Sequence, residues 1–98
     1  MSPIGEMSSK EYTNTLEMAK DICVLLGIKI RQLRKEKNWR QIDLAEESGL
    51  GRIYISDLER GKKEICLRNL EILALTFQLD LPRFLSNLDQ GERPTRLK

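Results

Sequence analysis

"GLGRIYISDLERGKK", residues 49–63, is the stretch whose reading decides the fold. The glycines at 49 and 61 stand where helices stop, because glycine adopts the left-handed backbone of a helix end without a Cβ penalty. Between them, Ile55 and Leu58 have the three-residue spacing of neighbours on one helical face. Arg52, Ile53, Ser56 and Asp57 fall outside that face. The pattern predicts a helix that begins at Gly51 or Arg52 and ends near Arg60. Ile55 and Leu58 would hold it to a body, and its first outward residues would be presented to a partner.

Just upstream, "RQIDLAEES" (40–48) predicts a second short helix, with Leu44 and Ala45 inward and Gly49 as its stop. Two short helices joined by a tight glycine-containing turn form a helix-turn-helix unit. The second helix of such a unit enters the DNA major groove, and its first residues meet base edges. Arg52 can bond bidentately to guanine, Ile53 can pack on a thymine methyl, and Ser56 can reach a base or a phosphate. Asp57 is repelled by phosphate; it either accepts from a cytosine amine or steers Arg52 or Arg60.

Working further outward, apolar residues at 16, 19, 23, 26, 30 and 33 form a helical stripe that runs to about Lys37, with Asn14 or Thr15 as its cap. Gly27 marks either a break in that helix or a close packing contact. Met18, Ile22 and Leu25 form a second stripe beside Leu16, Ala19, Cys23 and Leu26. A helix apolar on two sides wants two neighbours, here the body and a second subunit. On the other flank, Leu67, Leu70, Leu73, Ala74 and Phe77 predict a helix over about 67–77. Asp80-Leu81-Pro82 opens a fifth over about 82–88, with proline in its first turn. No segment alternates like a strand, so the fold class is all-α.

The 98 residues fit one domain. Net charge is only +2, but residues 29–68 carry eleven basic and seven acidic groups, while residues 1–28 carry two and four. The positive charge therefore surrounds the opening stretch, which suits a polyanion. There is no histidine, no ligand cluster for a metal and no glycine-rich phosphate cradle, so neither an enzyme nor a cofactor or small-molecule site is expected. The two cysteines, Cys23 and Cys66, read as reduced hydrophobes. The longest apolar run, Ile22 to Leu26, is too short to cross a membrane. The N-terminus lacks the pattern of a signal peptide. A cytoplasmic protein is expected.

The pieces "LGIKIRQLRKEKNW", "QIDLAEESGL", "RIYISDLERGKK", "LRNLEILA" and "LPRFL", in this order, resemble the Cro/C1-type helix-turn-helix repressors, especially the small controller proteins of restriction–modification systems. The resemblance implies a five-helix, lambda-repressor-like domain over 26–88, preceded by an arm and helical extension (1–25) and followed by a tail (89–98). It implies that Gln41 binds a backbone phosphate and braces the recognition helix, that Tyr54 either touches phosphate or packs, and that Arg34 and Glu59 form an ion pair tying the first helix to the end of the recognition helix. Arg40, Lys62 and Lys63 are further phosphate candidates. The implied partner is two-fold symmetric duplex DNA bound by a homodimer, with Ile22, Leu25, Leu81, Phe84 and Leu88 as interface candidates. The chain departs from the family pattern at Ile65-Cys66, where cysteine replaces a better helix cap. Two other functions fit the same motif: an antitoxin that also binds a toxin protein, or a coactivator adapter that reads no bases.

Overall fold

The computed structural model describes residues 22–88. Five helices follow one another: α1 over 22–36, α2 Gln41–Ser48, α3 Arg52–Glu59, α4 Leu67–Thr76 and α5 Leu81–Leu85. No strand occurs among the described residues. The proposed cap at Asn14 or Thr15, the apolar residues Leu16, Met18 and Ala19, and the tail 89–98 lie outside them.

The predicted stops act as expected. Gly49 has φ 81° and donates its N–H to the Ala45 carbonyl at 2.8 Å, closing α2. Gly61 has φ 71° after α3, and its Cα faces Val24 so closely that a Cβ would lie 2.9 Å from Val24 Cγ2. Asp80 caps α5 by accepting from the Arg83 N–H at 2.9 Å, with Pro82 in the first turn. That helix is shorter than the predicted 82–88, because Ser86 is already extended and Asn87 turns to φ 58°. Cys66 takes the N-cap place of α4 without a side-chain bond, as its chemistry suggests, and α4 still starts at Leu67.

Gly27 does not break α1, which is continuous from 22 to 36. It is a packing contact: a Cβ there would collide with the Leu58 carbonyl oxygen and sit 2.6 Å from that of Glu59. The helix runs unbroken through residues 25 and 26, where the sequence reading divides the extension from the domain. Leu25 and Leu26, one from each stripe, are both buried in the chain itself. For this part of α1, the reading of one side for the body and one for a partner is corrected.

The core gathers Leu26 and Ile30 from α1, Leu44 and Ala45 from α2, Ile55 and Leu58 from α3, Leu73 and Ala74 from α4, and Phe84 from α5. Trp39, Phe77 and Phe84 form an aromatic column, with ring centroids 6.0 and 6.1 Å apart. It joins the α1–α2 turn to α5, and Lys29 Nζ adds a bond to the Ser86 carbonyl at 3.0 Å. The Phe84 side chain is completely buried there, so it is unavailable to a second subunit. Phe84 and Leu25 are withdrawn from the predicted interface set.

Candidate nucleic-acid interface

Helix α3 is fixed from behind and free in front. Ile55 and Leu58 are buried against the body. At the C-terminal end, Glu59 meets Arg34 of α1 in a two-pronged pair: Nε to Oε2 at 2.6 Å and Nη2 to Oε1 at 2.9 Å. Only 10% of the Arg34 side chain and 4% of the Glu59 side chain are exposed. Charge-assisted, bidentate pairs of this kind constrain orientation as well as distance. Bonding to Glu59 holds the Arg34 guanidinium pKa above its ordinary value, against the opposing effect of burial.

Three further bonds make this pair the junction of three helices. Gln41, at the start of α2, donates from Nε2 to Glu59 Oε1 at 3.1 Å. Arg34 Nη1 donates to the Trp39 carbonyl at 2.8 Å, while the Trp39 N–H returns a bond to the Arg34 carbonyl at 3.1 Å. The turn leading into α2 is thus wrapped around the same guanidinium that holds the end of α3. The bracing role of Gln41 and the Arg34–Glu59 pair follow the expectation. The Trp39 carbonyl does not appear in the sequence reading, since a main-chain acceptor has no residue-type signal.

On the outer side, Arg52 and Ile53 open α3 and are exposed, Ile53 by 70% of its surface. Ser56 and Asp57 follow and are half-buried. Asp57 pairs with Arg60 at 2.8 Å, which favours the steering role over cytosine reading. Lys62 and Lys63 are exposed beyond the helix end. Arg40 is also exposed, but its guanidinium is bonded to Asp43, with Nε to Oδ2 and Nη2 to Oδ1 both at 3.0 Å. Asp43 also accepts from the Arg40 N–H at 2.7 Å. These bonds hold the Asp43 carboxyl below its ordinary value. Tyr54 is half-buried against the core, and its phenol oxygen accepts from Asn69 Nδ2 at 3.0 Å. Packing and a polar tip thus coincide in one side chain. The Asn69 contact spans fifteen positions and joins α3 to α4 outside the motif, beyond the reach of local patterning.

The arrangement is a short, clamped helix whose first turn offers a guanidinium and an apolar side chain, with two exposed lysines beyond its C-terminal end. Among the described residues there is no metal-ligand cluster, and no helix is long and apolar enough to cross a membrane. Both cysteines are free thiols.

Residues 30–84 match the helix-turn-helix family HTH_3, an interval that takes in α2, α3 and α4 with parts of α1 and α5. The chain belongs to this family. It is a DNA-binding transcription regulator of the Cro/C1 type. The HTH_3 chain is 47% identical over 55 residues to the control protein C.BamHI of Bacillus amyloliquefaciens, across 55% of this chain and 68% of the relative. Among solved structures, it is similar to the restriction–modification controller protein C.AhdI of Aeromonas hydrophila, with TM-score 0.60 and 38% identity over 64% of this chain and 94% of that one. It is also similar to the controller C.Esp1396I, a tetramer in complex with its natural 35 base-pair operator, with TM-score 0.63 and 30% identity over 68% and 88% of the two chains. The HTH_3 relatives are regulators rather than enzymes, in agreement with the lack of catalytic motifs in the sequence.

Proposed function

We propose that the HTH_3 chain binds inverted-repeat operator DNA as a homodimer, each copy placing the first turn of α3 in the major groove. The observation that carries this reading is the polarity of α3: Ile55, Leu58 and Glu59 bind it to the body, and Arg52 and Ile53 stand free at its start. Arg52 reads a guanine, Ile53 packs on a thymine methyl, and Ser56 reaches a base or phosphate beside them. Asp57 keeps Arg60 in place. Gln41, Tyr54, Lys62 and Lys63 meet backbone phosphates, and Arg40 joins them while retaining its Asp43 partner. The operator complex of C.Esp1396I supports carrying this mode of action to the present chain. A cytoplasmic setting goes with a DNA target and with two free thiols.

The test is Arg52→Ala. Its affinity for the selected operator is expected to fall by about 1–3 kcal/mol, with relaxed preference at one base pair of each half-site. Its affinity for random-sequence duplex is expected to fall much less. Fluorescence anisotropy at several salt concentrations measures both, and unchanged operator affinity in the variant would remove Arg52 from the reading role.

For the pairing of two copies, the remaining candidates are Ile22, Leu81 and Leu88. Ile22 is 42% exposed. With Leu85 and Leu88 it lines an apolar groove of about 520 Å³ between the start of α1, the 63–65 loop and the end of α5. A second copy seated there would bury these side chains without disturbing the monomer core. Ile22→Glu is expected to weaken self-association by about tenfold or more, in line with the loss of one buried aliphatic side chain. Sedimentation velocity across a concentration series reads this directly; an unaltered dimer constant would move the interface elsewhere.

A further inference from the structure

Asn69 stands on the first turn of α4, outside the helix-turn-helix, and carries no charge to attract DNA. Its geometry nonetheless ties it to the recognition helix. A tyrosine hydroxyl has one proton to donate and two lone pairs to fill, whereas an amide nitrogen has only protons. Asn69 Nδ2 donates to Tyr54 Oη at 3.0 Å, so this contact uses a lone pair of the oxygen and leaves its proton unspent. Among the described residues, no protein acceptor takes that proton. The ring is held on the core side by its packing, and Tyr54 lies two positions after Arg52 on the helix that presents the reading residues.

We propose that Asn69 is a positioning residue for DNA binding: its amide fixes the Tyr54 hydroxyl as an outward donor, directed to a phosphate oxygen of the bound duplex. The inference rests on the DNA-binding reading above and adds α4 to the elements that set the contact. It also gives the uncapped start of α4 a tie. Cys66 supplies no capping bond, and the Asn69–Tyr54 bond instead fastens that first turn to the recognition helix. A neutral donor to phosphate adds affinity without sequence preference and without displacing a counterion.

The experiment uses a fluorescent random-sequence duplex and the full chain, with the fold of each variant checked by thermal melting. Asn69→Asp keeps the shape but offers only acceptors, so it turns the tyrosyl proton inward. It also adds a negative charge, which repels DNA whatever Tyr54 does. Tyr54→Phe removes the hydroxyl and separates the two effects. Tyr54→Phe alone is expected to weaken binding about tenfold, the scale of a hydrogen bond to a charged acceptor, with an unchanged salt slope. Asn69→Asp is expected to cost about tenfold more in the wild-type background than in the Tyr54→Phe background. A purely structural Asn69 would not give that difference. Equal costs of Asn69→Asp in the two backgrounds, or wild-type affinity in Tyr54→Phe, would overturn the inference while leaving the DNA-binding reading intact. Absence of salt-dependent binding by the wild-type chain would overturn both.

Discussion

Replacing Glu59 with alanine is expected to destabilise the domain by about 3–5 kcal/mol, the range seen when one partner of a buried ion pair is removed. The cost does not come chiefly from the lost attraction. Arg34 is 8% exposed, and without Glu59 its guanidinium keeps the Trp39 carbonyl but loses its only anionic partner among the described residues. Gln41 loses the same acceptor. Glu59→Gln should cost less, because the amide oxygen can still accept one bond. Chemical denaturation of the two variants checks this, and a loss below about 1 kcal/mol for Glu59→Ala would place the pair with ordinary surface bridges. DNA affinity should fall further than stability alone dictates. The pair sets the angle of α3 against α1 and α2, and a recognition helix reads bases only at the right angle.

Gly27→Ala is the second large effect. One methyl is added, but it points at two main-chain carbonyl oxygens at the end of α3, with the Glu59 oxygen at 2.6 Å. Neither is the free end of a flexible side chain that can swing away. The helices must separate, which disturbs Leu26, Leu58 and the Arg34–Glu59 pair together. The expected loss is about 3 kcal/mol, the upper part of the range for overpacking a core. Alanine is the better helix former by about 1 kcal/mol, so propensity alone would give the opposite sign. The melting temperature of the variant therefore separates the two: a fall supports the close approach of α1 to α3, and a rise contradicts it.

Much of this architecture is legible from residues 40–61. The second and third helices, predicted at 40–48 and at 51 or 52 to 60, are found at 41–48 and 52–59, because glycine at positive φ closes both. The inward pairs Leu44–Ala45 and Ile55–Leu58 are buried as their spacing requires. The Arg34–Glu59 pair comes from the family resemblance, since twenty-five intervening residues carry no local signal. Leu25 and Phe84 show where patterning stops. A stripe tells which side of a helix is apolar, but not how broad a surface the rest of the chain lays against it, and here the chain covers both residues itself. The Trp39 carbonyl and the Asn69–Tyr54 bond depend on the approach of separate elements, which only the assembled fold provides. The positive φ of Gln78, after α4, also lacks a glycine to announce it.

The fold thus leaves one face of α3 free while its other face is buried. The Arg34–Glu59 junction makes α3 rigid, the glycines set its length, and Arg52 and Ile53 are left at the turn that would meet base edges. Selection of bound sequences from a random duplex library by the wild-type chain tests this most directly. The expected result is enrichment of a two-fold symmetric motif whose half-sites are centred about one helical turn, roughly 10 base pairs, apart or a multiple of it. Enrichment of no motif, or of a single half-site without its symmetry mate, would contradict a homodimer reading DNA through α3.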